Sequence, residues 1–195
     1  GNLERLVRSA NFEGEEMFSP GERFALAAPL NFVASLMVLS YSLYRGCGSS
    51  YILSYSTVKN PVALIKFLLL KRITLFFLTP TYARKFAGKT GPFLKKMAIG
   101  SEPANNFHLK GVINYNMYAQ SESGVVTCMF VIDKEYDVCP VGKPQFDMKY
   151  RVVDDDGNDV PDGEIGEFVF ENPYVRGYIN LPEETQKAFK DGYFY

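Results

Sequence analysis

Asn116-Met117-Tyr118-Ala119-Gln120-Ser121-Glu122 is the stretch around which this chain is organised. One apolar run, residues 111–115, precedes it, and a second, residues 125–132, follows it. A strand that enters a polar turn and leaves as another strand places that turn at a sheet edge, where ligands commonly bind. The stretch therefore predicts two strands joined by a turn that is positioned to bind something.

Three side chains of this turn could carry chemistry. Tyr118 could stack on a planar base, and the Ser121 hydroxyl could hydrogen-bond a phosphate. Glu122 could hold a hard cation such as Mg2+ through its carboxylate oxygens. A solvated loop with a capping serine and an exposed glutamate would contain the same residues, so these seven positions leave both interpretations open.

Bulk properties exclude several classes of function. A net charge of −1 over 195 residues gives no electrostatic basis for binding nucleic acid or an anionic membrane. The longest apolar stretch, residues 62–70, is interrupted by Lys66 and is too short to span a bilayer. Cys47, Cys128 and Cys139 lack paired spacing, which favours free thiols in a reducing compartment and a cytoplasmic protein.

The first part of the chain alternates between strand and helix patterns, which is typical of an α/β fold with a mostly parallel sheet flanked by helices. Buried parallel strands are unbroken apolar runs, as residues 75–78 are. Asn60 and Pro61 are a favourable helix start. Strands are predicted over residues 23–28, 51–54, 73–78, 96–99 and 112–115, and helices over 2–10, 33–44, 61–70, 80–86 and 103–109.

From about residue 124 the pattern changes to strands joined by turns, without intervening helices. These strands are predicted over residues 125–132, 149–154 and 166–170. We therefore expect two parts: an α/β subdomain over residues 1–124 and an antiparallel, barrel-like β subdomain over residues 125–195.

The central stretch resembles the N-x-Y-G-x-T-E core motif of the adenylate-forming superfamily, which includes nonribosomal peptide synthetase adenylation domains and acyl-CoA ligases. Asn116, Tyr118 and Glu122 match that motif, Ser121 keeps the hydroxyl of its threonine, and Ala119 replaces its glycine. Further similar motifs follow the family's order along the chain, at residues 73–82, 100–102, 141–144, 163–167 and 176–185.

The resemblance implies roles for residues on either side of the central turn. In the family the tyrosine packs on adenine, the hydroxyl contacts phosphate and the glutamate binds Mg2+. Ser121 and Glu122 are thus the expected catalytic residues, with Glu122 as the metal ligand. The implied cofactors are ATP, Mg2+ and the phosphopantetheine of a partner carrier protein. The residues implied to bind ATP are Gly100, Ser101, Glu102, Asn116 and Tyr118.

An acid pocket is implied within residues 1–124, beside half of the nucleotide site. The amino-acid branch uses an F-D-x-S motif whose aspartate pairs with the substrate ammonium; here residues 31–35 place Val33 at that position. A shifted alignment would instead make Asn31 the polar pocket residue, as in the aryl-acid branch. The implied pocket positions are Asn31, Val33, Ala34, Met37, Phe77, Ile99, Met117, Val125 and Val126, with Met97 as readily a core residue.

The implied function is that of an AMP-forming ligase that activates a small carboxylic acid as its acyl-adenylate and passes it to a carrier-protein thiol. An acyl- or aryl-CoA ligase and a degenerate, non-catalytic module are the alternatives. The family's phosphate loop, ribose-binding aspartate and catalytic lysine have no counterpart in these 195 residues. We therefore expect the chain to be an internal fragment that is inactive alone.

Overall fold

The computed structural model describes residues 17–85, 89–144, 148–172 and 175–195. The predicted helix over residues 2–10 lies outside them. The described helices are α1 (Val33–Tyr44), α2 (Tyr55–Lys59), α3 (Pro61–Leu70), α4 (Pro80–Arg84) and α5 (Pro182–Ala188). The strands are β1 (Arg23–Leu26), β2 (Ser49–Ile52), β3 (Leu75–Leu78), β4 (Lys96–Gly100), β5 (Ile113–Tyr118), β6 (Cys128–Ile132), β7 (Lys143–Pro144), β8 (Tyr150–Val153), β9 (Glu167–Glu171), β10 (Phe189–Lys190) and β11 (Tyr193–Phe194).

The larger sheet has seven strands in the order β2-β1-β3-β4-β5-β6-β7. Strands β1 to β5 are mutually parallel, whereas β6 and β7 add to the β5 edge in antiparallel register. The chain reverses its direction of travel across the sheet between β1 and β3. In open α/β sheets, ligands bind beyond the carboxyl ends of the strands, near such a reversal.

Two hydrophobic cores cover the two faces of this sheet. Strand β3 is buried along its whole length, and its neighbours Phe76 and Phe77 point to opposite cores because strand side chains alternate. Helix α1 packs on the Phe77 face, and α3 on the Phe76 face. The predicted α/β class, with a mostly parallel sheet between helices, is confirmed.

Helix α3 begins as the sequence predicts. The Asn60 side-chain oxygen accepts hydrogen bonds from the backbone N–H groups of Val62 and Ala63, each at 3.1 Å, and Pro61 occupies the first turn. These bonds satisfy two of the donors that a helix start leaves unpaired. The prediction of a helix over residues 33–44 is also confirmed.

The predicted helix over residues 103–109 is wrong. This segment forms turns, because its polar groups bind the later loop that contains Tyr136 and Cys139. The Asn105 side-chain oxygen accepts the Cys139 N–H at 2.9 Å, and the Asn106 N–H donates to the Tyr136 carbonyl at 2.7 Å. Asn106 has a φ of 51°, which no right-handed helix contains.

The second sheet has four antiparallel strands in the order β10-β11-β9-β8. The expectation that the strand within residues 125–132 belongs to the antiparallel part is corrected, because β6 pairs with β5 in the larger sheet. The division into residues 1–124 and 125–195 stays a prediction, whereas the change from one sheet to the other falls between β7 and β8.

Two further expectations concern the cysteines and membrane-spanning helices. Cys47, Cys128 and Cys139 are all free thiols. Among the described residues, no helix combines the length and apolar character that crossing a membrane requires.

A buried ion pair ties the amino-terminal ends of the parallel strands together. Lys96 Nζ lies 2.9 Å from Glu22 Oε1, with side chains only 13% and 10% exposed. The ammonium also donates to the Met17 carbonyl at 3.1 Å, and the Thr74 hydroxyl donates to the other Glu22 oxygen. Such saturation by hydrogen bonds is what a buried charge pair requires.

Lys96→Met should destabilise the protein by about 3 kcal/mol, because Glu22 would keep a buried charge without its partner. Urea unfolding measures this change. The matched control is Lys149→Met, whose pair with Glu171 is exposed on the second sheet and should be worth less than about 1 kcal/mol. Equal decreases in the free energy of unfolding of the two variants would contradict the role assigned to the buried pair.

Candidate active site

The central turn is held in one shape by its own polar groups. Strand β5 ends at Tyr118, whose carbonyl accepts the Thr127 N–H at 2.8 Å just before β6 begins. Within the turn, the Ser123 hydroxyl contacts the carbonyls of Gln120 at 2.7 Å and Val125 at 2.6 Å. Ser123, a site residue that no sequence motif indicated, is fully buried and organises the loop that presents Ser121 and Glu122.

A central cleft of about 270 Å³ lies beyond the carboxyl ends of β4 and β5 and beside the start of α1. Its lining combines an apolar wall with a hydroxyl and a carboxylate from the central turn. Among the predicted site residues, those that line this cleft are Val33, Ala34, Met37, Phe77, Gly100, Ser101, Met117, Ser121, Glu122 and Val126.

Four other predicted pocket positions do not line the central cleft. Asn31 is exposed ahead of α1, and Val125 is fully buried in the core behind the cleft. Met97 and Ile99 point into the opposite core, because they alternate along β4 with Ala98 and Gly100 on the cleft side. The assignment of Ile99 to the pocket is therefore corrected, and of the two interpretations of Met97 the structure supports the core residue.

A lateral cleft of about 470 Å³ adjoins the central one. The two clefts share Ser101, Met117 and Ala119, at the ends of β4 and β5. Tyr118 lines the lateral cleft with 38% of its surface exposed. The centroids of the Tyr118 and Phe168 rings lie 6.5 Å apart in a T-shaped arrangement. A half-exposed aromatic ring beside a cavity is suited to packing against a planar ligand.

Asn116 and Glu102 also line the lateral cleft, but both already have partners in the protein. The Asn116 amide donates to the Pro140 carbonyl at 2.8 Å and so fixes the far wall of the cleft. The Glu102 carboxylate accepts the Thr81 N–H at 3.0 Å and the Thr81 hydroxyl, which together cap α4. These bonds lower the pKa of Glu102, and its direct contact with a nucleotide stays a prediction.

Glu122 is held by residues that follow β9, at least 50 positions further along the chain. The Tyr178 hydroxyl donates to Glu122 Oε1 at 2.6 Å, and the Asn172 amide donates to the Glu122 carbonyl and, at 3.2 Å, to that of Ser123. The bond to Glu122 raises the pKa of Tyr178 to about 12, because the carboxylate opposes phenolate formation. The only sequence signal for Tyr178 was its place in the motif over residues 176–185.

Gly100 allows β4 and β5 to approach each other beneath both clefts. A Cβ atom added there would lie 2.6 Å from the Met117 carbonyl oxygen, which is closer than van der Waals contact allows. The next residue, Ser101, has a φ of 72°, a conformation that non-glycine residues adopt at a cost. Strained backbone of this kind is concentrated at functional sites.

Comparisons with known proteins identify a matching family and related sequences. The family described as AMP-binding enzyme matches residues 1–179. The D-alanine–D-alanyl carrier protein ligase of Bacillus velezensis is 28% identical over 87% of this chain, and bacitracin synthase 1 of Bacillus licheniformis is 31% identical over 60%. The chain spans 37% of the length of the first relative and 2% of the second.

Solved structures share the fold. The O-succinylbenzoate coenzyme A synthetase of Bacillus subtilis, in complex with AMP, has a TM-score of 0.79 at 20% identity, over 99% of this chain and 41% of that one. CmiS6 has a TM-score of 0.78 at 21% identity, over 97% and 48%. At these identities the likeness establishes the fold.

Gly100→Ala should lower the free energy of unfolding by about 1–3 kcal/mol, because the new methyl group forces β4 and β5 apart. Urea unfolding tests this expectation. Gly48→Ala is the control, since its φ is also unstrained and its Cβ atom would meet Gly21 at 3.3 Å rather than 2.6 Å. If Gly48→Ala lowers the free energy of unfolding as much as Gly100→Ala does, the steric explanation is contradicted.

Proposed function

The chain belongs to the AMP-binding enzyme family, and we propose that it carries the acid pocket and part of the nucleotide site of a ligase that forms acyl-adenylates. The observation that supports this most is the shared wall of the two clefts. An apolar cavity with Ser121 and Glu122 opens beside a cavity lined by Tyr118, and Ser101, Met117 and Ala119 belong to both. A carboxylic acid and a nucleotide would meet at that wall.

In the proposed reaction, a carboxylate oxygen of the acid forms a bond to the α-phosphorus of ATP. The bond from that phosphorus to the bridging oxygen breaks, and pyrophosphate leaves. The Ser121 hydroxyl would donate to a phosphate oxygen, and Tyr118 would pack on the adenine. The apolar wall excludes water from the acid, so the bound groups react in a fixed geometry.

The donor set fits Mg2+ bound together with a nucleotide. This cation commonly takes one or two carboxylates from the protein and the remaining oxygens from phosphates and water. Glu122 supplies a carboxylate in the central cleft, and the described ranges contain no cluster of three or more His, Cys, Asp or Glu side chains that could hold a metal alone. When bound, the ion would neutralise phosphate charge.

A carrier-protein thiol is the acceptor that we propose for the acyl group. Its sulfur would attack the acyl carbon, and AMP would leave as the thioester forms. The name of the Bacillus velezensis relative includes a carrier protein, and that protein matches 87% of the chain. Coenzyme A is the alternative acceptor, and the partner thiol in either case would be a phosphopantetheine.

The acid that we propose is apolar and lacks an α-ammonium group. Val33 lines the central cleft at the position where the amino-acid branch has an aspartate, and Phe77 and Met37 add further apolar surface. Burying an ammonium without a counter-charge would cost several kcal/mol. Glu122, the carboxylate of this cleft, is bonded to Tyr178 and assigned to the metal. The D-alanine named in the relative's activity is therefore not the substrate class that we propose here.

Glu122→Gln in the full-length protein should reduce acid-dependent ATP–pyrophosphate exchange by on the order of 100-fold, because a neutral amide is a poor ligand for Mg2+. The fold should survive, since a glutamine oxygen can still accept the Tyr178 hydrogen bond. Glu164→Gln, at an exposed glutamate outside both clefts, is the matched control. Exchange that persists in Glu122→Gln would refute the metal assignment, and exchange absent from the unaltered protein would favour the non-catalytic module.

Val33→Asp should shift preference toward amino acids. In the full-length enzyme, we expect the kcat/KM ratio of an α-amino acid to its des-amino analogue to rise by on the order of 100-fold, because the new carboxylate pairs with the buried ammonium. Val62→Asp, at an exposed valine of α3, controls for the added charge. An unaltered enzyme that prefers the amino acid would overturn the assignment of substrate class.

A further inference from the structure

A single hydrogen bond joins the carboxylate of the central turn to a residue far along the chain. The Tyr178 hydroxyl donates to Glu122 Oε1 at 2.6 Å, across 56 positions of sequence. Glu122 lines the central cleft, whereas Tyr178 lies outside the lining of both clefts. Tyr178 therefore reaches that cleft through Glu122.

Tyr178 is itself held in place by contacts with α5 and with Phe189. Its backbone N–H donates to the Thr185 hydroxyl at 2.8 Å, and that hydroxyl donates to the Leu181 carbonyl at 2.9 Å at the start of α5. The centroids of the Tyr178 and Phe189 rings lie 6.0 Å apart in a T-shaped arrangement. Gly177 makes this packing possible, because a Cβ atom there would lie 2.2 Å from the Thr185 methyl group.

The backbone of Glu122 is fixed from the same direction. The Asn172 amide, at the end of β9, donates to the carbonyls of Glu122 and Ser123, and Asn172 is only 4% exposed. Both the backbone and the side chain of Glu122 are thus held by residues that follow β9. A glutamate that merely served as a solvated loop residue would not need this support.

We propose that Tyr178 is a positioning residue, which holds one oxygen of Glu122 so that the other is oriented to bind the divalent cation of the nucleotide. The inference rests on the function proposed above. A free glutamate side chain has three rotatable bonds, and ordering them opposes metal binding. Hydrogen-bond partners of metal ligands remove that cost in advance, and losing one typically weakens metal binding by about 10–100-fold.

The test uses Tyr178→Phe in the full-length protein, which removes one oxygen atom and keeps the ring. Binding of Mn2+ is followed by the paramagnetic resonance signal of the free ion, with a non-hydrolysable ATP analogue at saturation. We expect Mn2+ affinity to fall by about 10-fold. The Mg2+ concentration for half-maximal pyrophosphate exchange should rise by a similar factor, while kcat at saturating Mg2+ and the KM of the acid stay near their original values.

Tyr136→Phe is the matched control, because its hydroxyl donates to the Asp133 carboxylate at 2.7 Å outside the linings of both clefts. It should leave Mn2+ affinity unchanged. Thr185→Val is a second variant, which keeps the Tyr178 phenol but removes the hydroxyl that accepts the Tyr178 N–H. Its Mn2+ affinity should also fall, by less than in Tyr178→Phe. Urea midpoints of all variants separate these effects from unfolding.

The inference is overturned if Tyr178→Phe and Thr185→Val bind Mn2+ as the original protein does, or if excess Mg2+ fails to restore their exchange activity. The outcome for Glu122→Gln distinguishes the two proposals. If Glu122→Gln weakens Mn2+ binding and Tyr178→Phe leaves it unchanged, the positioning role alone is refuted. Unchanged Mn2+ binding in Glu122→Gln would refute the metal site itself.

Discussion

The approach of β4 and β5 at Gly100 is the contact on which the candidate site depends. The two backbones come so close there that a methyl group cannot fit between Gly100 and the Met117 carbonyl. Because parallel strands end at the same edge, this contact brings Ser101 and the central turn together at one place. The wall between the two clefts is built from those strand ends, so a change in their spacing would alter both cavities at once.

Strand alternation then decides which side chains can reach a ligand. Phe77 and Met117 face the α1 side and the central cleft, whereas Met97 and Ile99 face the α3 side. A pocket position carried over from a family motif is therefore useful only where the strand register agrees with it. The α1 side supplies apolar surface and no charged group, and the charge of the central cleft comes from the turn.

Much of the fold followed from periodicity and local capping. Helices α1 and α3 were predicted with their observed ends, since an apolar run and the Asn60-Pro61 start are local signals. The segment over residues 103–109 was mispredicted because its conformation depends on bonds to Tyr136 and Cys139, 30 or more positions away. Most of the predicted pocket residues line the central cleft. The hydrogen bonds from Tyr178 and Asn172 to Glu122 could be found only in the tertiary structure.

These long-range bonds connect the turn of the larger sheet to residues that follow the smaller sheet's β9. Glu122 lies in a turn between strands of the larger sheet, yet Asn172 and Tyr178 follow strands of the smaller one. The Tyr178 phenol stays protonated at neutral pH, since its pKa is about 12, and so it can always donate to the carboxylate. The Glu122 carboxylate that accepts this bond is held in a fixed place beside the apolar pocket. The position of the carboxylate in the larger sheet's cleft is thus set partly by residues that follow β9 of the smaller sheet.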